Sequence, residues 1–221
     1  RSTRFELYGS LRLHLIDNFD PETRESSVTL ADGISRVGVN GGWQVAQGWD
    51  IFGRLEAGFD VLDTFAAGGQ YDSDRKIVER LAFVGVESDF LYLKLGKSYS
   101  AYYTVAGETD RFSVFGANAS GVYNAGTDGG ATGTGRADEA VQTELYLDPK
   151  GLLTIKPFNI NLQYQSSQSI PHVSGEDYEY SVSASAWLEN DWEVGVGIAY
   201  HSAQVENPES ARVREAGIDG D

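Results

Sequence analysis

The sequence predicts an all-β fold, a transmembrane antiparallel β-barrel. Three observations predict it: apolar and polar residues alternate with period two in segment after segment, short and long connections exchange strictly, and aromatic residues sit near strand ends on the apolar side. No stretch approaches the ~20 consecutive apolar residues of a membrane-spanning helix. A membrane crossing here therefore needs strands, which satisfy their backbone groups in lipid only by pairing into a closed barrel.

The first segment, RFELYGSLRLHLI, reads as one strand. Phe5, Leu7, Gly9, Leu11, Leu13 and Leu15 fall on one face of the pleat, and Glu6, Tyr8, Ser10, Arg12 and His14 on the other. RVGVNGGWQVA sets Val37, Val39, Trp43 and Val45 against Arg36, Asn40 and Gln44. DIFGRLEAGFDV sets Ile51, Leu55, Ala57, Phe59 and Val61 against Arg54, Glu56 and Asp60. Weaker strands follow near Arg80 to Val86, Leu91 to Tyr99 and Val141 to Leu147. In PFNINLQYQ, Phe158, Ile160, Leu162 and Tyr164 oppose Asn159, Asn161, Gln163 and Gln165. Two more strands close the series, with apolar faces Tyr178, Tyr180, Val182, Ala184 and Trp192, Val194, Val196, Ile198, Tyr200. The total is about nine, with the usual few-residue error at each boundary.

The connections carry as much information as the strands. Gln47-Gly48, Glu87 to Asp89, Asp148 to Gly151 and Glu189 to Asp191 are short. They alternate with long polar stretches at Asp17 to Asp32, Asp63 to Ile77, Gly107 to Gly135 and Ser166 to Asp177. Short turns on one rim and long loops on the other describe an outer-membrane barrel.

Alternation alone is neutral between such a barrel and a soluble sandwich. Phe5, Trp43, Phe59, Phe158, Tyr164, Tyr178, Trp192 and Tyr200 tip the balance, because an interfacial girdle needs aromatic residues at the ends of lipid-facing strands. The stretch from Gly107 to Gly135, rich in Gly and Ala, is too long for a compact sandwich link and suits a lumen that holds it.

Composition narrows the function classes. A net charge of −16 leaves no basic surface for nucleic acid. Cys is absent, which is compatible with an oxidising compartment but does not require one. His14, His172 and His201 have no metal-ligand spacing, and the acidic runs at Asp17 to Asp20 and Asp72 to Asp74 lack the spacing of a calcium loop. No Gly-x-Ser-x-Gly elbow appears. The expectation is a protein that is not an enzyme and holds neither metal nor cofactor.

FELYGSLRLHL, SRVGVNGG, GRLEAGFDV, and ERLAFVGVES followed by LYLKLGKSY resemble, in order, the first five strands of the Gram-negative general diffusion porins. GETDRFSVFG resembles the start of that family's inward third loop, and GRADEAVQTELY the strand after it. The resemblance covers most of the chain to about His201.

It implies a bacterial outer-membrane channel for small hydrophilic solutes, a homotrimer with the second loop (Asp63 to Ile77) as a latch, and contact with lipid and lipopolysaccharide. It also implies a pore constriction with Arg36, Arg80 and Arg136 as its basic side and Glu56, Asp110 and Glu108 as its acidic side. Arg12 and Arg54 join as further inward arginines. The family's strand-one basic position is Ser10 here, and its second loop carboxylate is Val114. The expectation is weak cation preference, driven by an acidic vestibule.

Three other readings compete. A substrate-selective pore, for example for oligosaccharides, would use Tyr99, Tyr102 and Tyr103 as a stacking track. A small-barrel enzyme or adhesin would have to swallow nearly thirty loop residues in a filled interior. A soluble sandwich would bind carbohydrate through its Trp and Tyr residues. The last segment, NPESARVREAGIDGD, lacks a strand and a terminal aromatic. Residues 1–221 are thus expected to form one barrel domain that is incomplete at its C-terminal side, lacking about seven strands of roughly 16.

Overall fold

The computed structural model describes residues 3–33, 35–62, 77–109, 132–147, 158–166, 168–169, 177–189 and 195–205. Residues 63–76, where the second loop was expected, residues 148–157 and 190–194, His172 and residues 206–221 lie outside the described residues.

The strands are β1 (Thr3–Ser10), β2 (Leu13–Phe19), β3 (Ser26–Asp32), β4 (Ser35–Ala46), β5 (Trp49–Phe59), β6 (Ile77–Glu87) and β7 (Leu91–Tyr99). After a short helix α1 (Tyr103–Ala106) come β8 (Arg136–Leu147), β9 (Phe158–Gln165), the two-residue β10 (Gln168–Ser169), β11 (Asp177–Glu189) and β12 (Gly195–Val205). β1, β4, β5, β6, β7, β8, β9, β11 and β12 follow one another as antiparallel neighbours in one curved sheet, so the expected count of about nine holds. β10 continues the β9 edge against β11, and among the described residues β1 and β12 are not paired with each other.

The first hairpin departs from expectation in two ways. The stretch read as one strand is interrupted at Leu11 and Arg12, and the stretch read as a loop after Asp17 contains β3, which pairs with β2 in a separate hairpin. The register moves by one residue across the interruption, from Ser10↔Arg36 to Leu13↔Asp32. There the Arg12 N–H donates to Ser35 Oγ (3.0 Å), and the Arg12 carbonyl accepts from the Gly33 N–H (2.6 Å). The buried Asp32 carboxylate fastens the junction by accepting from the Ser35 N–H (2.7 Å) and hydroxyl (2.5 Å). The missed signal was SSVTLAD, whose Val28 and Leu30 alternate with polar neighbours.

The faces are inverted relative to a water-soluble domain. Phe5 and Leu7 on β1, Trp43 on β4, Leu55 on β5, Leu162 on β9 and Val196, Ile198 and Tyr200 on β12 are exposed. The opposite face buries Gln142, Asn161, Gln163, Gln165, Ser181, Ser183 and Ser185. Among the described residues only Leu81, Ala101, Ala137 and Ala140 are buried apolar side chains. Outward apolar and inward polar is the arrangement that lipid selects, and no sandwich could bury this amide and hydroxyl face as its core. Trp43, Tyr164 and Tyr200 are exposed on the outer face, Tyr200 in the middle of β12 rather than near its end, whereas the side chains of Tyr178 and Trp192 lie outside the described residues.

The inward crossing of the chain after β7 positions everything that follows. α1 lies against the inner faces of β11 and β12, although its own strand is β7. Thr104 Oγ1 bonds Ser185 Oγ (2.7 Å), and the backbone of Gly197 fits beneath the Trp187 ring and beside Val105, where a Cβ would collide with both. Ala101, fully buried, donates its N–H to Gln163 Oε1 (2.9 Å).

Candidate pore wall and its charged cluster

From the short-turn rim toward the long loops, the inner face of β1 to β7 carries four layers of side chains. Nearest the rim, Arg4 on β1 reaches Asp50 (3.2 Å) and Glu87 (2.8 Å) across three strands. The next layer holds Phe52, Tyr92 and Lys94, brought together by the pairings Phe52↔Gly85 and Gly85↔Lys94. Above it, Arg54 Nε donates to Asn40 Oδ1 (2.6 Å), Asn40 donates to Glu6 (2.9 Å), and the Arg54 guanidinium lies 5.1 Å from the centre of the Tyr8 ring.

The fourth layer is the charged cluster. Glu56 Oε1 accepts from Arg80 Nε at 2.7 Å and stands 4.0 Å from Arg36 Nη1, while Glu56 Oε2 accepts from the Tyr8 hydroxyl at 2.8 Å. Glu56 and Arg80 are almost wholly buried, and the Arg36 side chain keeps 20% of its exposure. A guanidinium and a carboxylate in this contact hold each other charged, and the tyrosine hydroxyl satisfies the remaining carboxylate oxygen.

Arg80 reaches the cluster through an irregularity in pairing. Strict alternation from Ala82, Val84 and Val86 would turn it toward lipid. The register instead slips between Glu56↔Leu81 and Ala57↔Glu79, a bulge that lets Arg80 and Leu81 share the inner side.

The other expected residues spread along the wall. Arg136, buried at the start of β8, donates to the Tyr99 hydroxyl (3.4 Å) and lies 5.5 Å over the Tyr99 ring. Arg12 sits at the β1 to β2 interruption, where its backbone does the bonding. Glu108 is exposed in a short 3-10 turn, Gly107–Thr109, and Asp110 and Val114 lie outside the described residues. The structure thus brings Arg36, Glu56 and Arg80 together, sets Arg54 one layer below, and joins Arg136 to Tyr99 instead.

Tyr8, Asn40 and Lys94 are inner-wall residues that the sequence reading did not single out. Period two was the available signal, because it places Tyr8 and Asn40 on the faces of Arg12 and Arg36. On the far wall, His201 Nε2 bonds Thr132 Oγ1 (2.9 Å), its Nδ1 bonds Ser183 Oγ (2.7 Å), and Tyr102 meets the ring edge-on. His201 thereby contacts residues from both ends of the stretch between β7 and β8.

Comparison with known proteins agrees with this fold. A search of curated proteins finds no significant match. Among solved structures, the chain is similar to Salmonella typhi OmpF, described in complex with daunomycin, at 21% identity and a TM-score of 0.69; the alignment covers 94% of this chain and 56% of that one. It is also similar to the outer-membrane channel DcaP of Acinetobacter baumannii (14% identity, TM-score 0.53, covering 92% and 55%). The anion-selective porin from Comamonas acidovorans gives 14% identity and a TM-score of 0.51, covering 90% and 73%. The chain spans little more than half the length of the first two structures, and these likenesses establish the barrel fold. Residues 2–220 match the model of the Gram-negative porins, and the chain belongs to that family of bacterial outer-membrane proteins.

Proposed function

We propose that this chain walls a water-filled channel through which small hydrophilic solutes and ions diffuse passively, and that its role is not enzymatic. The observation that carries this reading is the inverted sheet. Its apolar side chains are exposed outward, and its inner face is lined by Arg, Glu, Asn, Gln and Ser. Stretch 107–135 is proposed to narrow the passage; in support, α1 and Ala101 before it, and Thr132 within it, are bonded to the inner wall.

Arg36, Arg80 and Glu56 would form one charged element at that level, with Asp110 and Glu108 on the loop and Arg12, Arg54 and Arg136 contributing around it. Arg80 and Glu56 neutralise each other on the same wall, which leaves the partly exposed Arg36 as the cluster's main contribution to a transverse field. A net charge of −16 supports weak cation preference overall. The exposed outer faces of Phe5 and Leu7 on β1 are compatible with packing against lipid or a neighbouring barrel of a homotrimer.

An oligosaccharide-selective track finds less support. Tyr99 is stacked with Tyr103 at 4.7 Å and carries the Arg136 guanidinium, so its ring is already engaged. Liposome swelling with sugars of graded size tests the channel: swelling that falls smoothly with solute size is expected, and its absence for every sugar would overturn the reading. Reversal potentials across a salt gradient test the cation preference, which an anion-selective result would refute.

A further inference from the structure

We propose that the inner wall of β5 to β7 carries a subsite for small aromatic carboxylates, with Arg54 and Lys94 as the anion-binding groups around the rings of Phe52, Phe83 and Tyr92. The inference rests on the channel reading above for its access route. It concerns the two layers below the Arg36, Glu56 and Arg80 cluster.

The first observation is a contrast among the wall's cations. Arg4, Arg36, Arg80 and Lys97 each have a carboxylate within ion-pair distance. Arg54 and Lys94 have none among the described residues. Arg54 is held by an amide oxygen and the Tyr8 ring. Lys94 rests over Phe83 (5.5 Å) and Tyr92 (5.6 Å). Glu144 on β8 is a rung away, opposite Tyr92: it attracts Lys94 electrostatically but stands beyond ion-pair distance of it among the described residues. Both cations are half-buried on the inner face, with charge available to a visiting anion.

The second observation is what lies between them. Arg54 pairs across to Phe83 with its guanidinium turned toward Asn40 and Tyr8, and Lys94, opposite Gly85 in the next layer, rests over the Phe83 ring, so a cation stands on each strand beside Phe83. Phe52 stacks on Tyr92 at 4.3 Å and meets Phe83 edge-on at 6.2 Å. Phe52 fits there because Gly85 presents no Cβ beneath it. Half-exposed rings facing water in a polar lumen cost free energy, which a flat apolar guest offsets by covering them. A carboxylate set at the Lys94 ammonium, with Arg54 one layer above adding to the attraction and the guest's ring against the aromatic edges, uses both halves of the site.

The test uses the full protein in two assays. Saturation-transfer NMR on detergent-solubilised protein reads benzoate binding without requiring conduction, and planar-bilayer recordings read block of single-channel current by benzoate. Benzoate is expected to bind and to block saturably, ahead of acetate, cyclohexanecarboxylate and benzyl alcohol. Lys94→Gln and Arg54→Gln are each expected to weaken binding about fivefold, as for loss of one partly exposed charge contact. Phe83→Leu should erase the advantage of benzoate over cyclohexanecarboxylate while preserving a carboxylate effect.

Equal NMR signals for benzoate and benzyl alcohol, or benzoate binding unchanged in Lys94→Gln, would overturn the subsite. Benzoate binding in detergent with no channel in the bilayer would leave the subsite standing and refute the channel. Heat-dependent gel mobility confirms that each variant is folded.

Discussion

The two inner walls of the sheet are built from different chemistry. β1 to β7 place arginine, lysine, glutamate and aromatic rings on the inner face, whereas β8 to β12, apart from Arg136 at the start of β8 and Glu144 along it, place Gln142, Asn161, Gln163, Gln165, Ser181, Ser183 and Ser185 there. This largely neutral wall is the one that α1 and Thr132 lie against. Covering a wall removes its water, and an unpaired charge under such a cover costs far more than an amide that can bond the covering backbone. Gln163 does this for Ala101, and Ser185 for Thr104. Charge is therefore kept where pairing or partial exposure can sustain it, and hydroxyl and amide groups are used where the chain folds back on itself.

The sharpest way to break the comparison is to strip the charged wall of Glu56, the carboxylate at the centre of the cluster. Glu56→Gln is expected to destabilise the barrel by about 3 kcal/mol, because the buried Arg80 loses its 2.7 Å partner. Urea unfolding followed by gel mobility measures it. Glu56→Gln combined with Arg80→Met should recover more than half of the loss, since it removes both charges together.

On the neutral wall, Gln163→Leu leaves the buried Ala101 N–H without its acceptor and should cost about 2 kcal/mol in the same assay. His201→Phe keeps an aromatic ring beside Tyr102 and deletes the bonds to Thr132 and Ser183, an expected loss of about 1 kcal/mol with faster proteolysis between residues 107 and 135.

The smallest effect lies outside both walls, at the tip of the β2 to β3 hairpin. Asp20 accepts from the N–H groups of Glu22 (2.8 Å) and Thr23 (3.3 Å), and these bonds hold its carboxyl below the usual carboxylate range. A depressed folded-state value means that the carboxylate stabilises the tip above its ordinary titration range and ceases to do so as pH falls through the lowered value. Protection of the Glu22 amide relative to its intrinsic exchange rate should fall in that acidic window, and Asp20→Asn should remove this pH dependence while leaving both walls unchanged.

Much of the inner wall was legible from alternation. The faces of Tyr8, Arg36, Asn40, Arg54 and Glu56 follow from period two within their strands, and Lys94 shares its face with Tyr92 and Gly96 by the same rule. Arg80 was legible only by resemblance, because alternation within β6 turns it outward until the bulge opposite Glu56 redirects it. The β2 to β3 hairpin was missed because its polar surroundings and short strands imitate a loop, and its register depends on Arg12 and Ser35 bonding across the interruption.

The sequence by itself determined that this is an all-β chain of about nine strands, with short and long connections in alternation and an acidic net charge. Those properties reside in local periodicity and composition, which need no partner to be read. Tertiary structure decided which face is buried, that Glu56 lies beside Arg36 and Arg80, and that the chain after β7 crosses to β11 and β12. Each of these depends on curvature, bulges and contacts between residues far apart in the chain, and a one-residue change of register reverses a strand's faces without changing the alternating pattern itself.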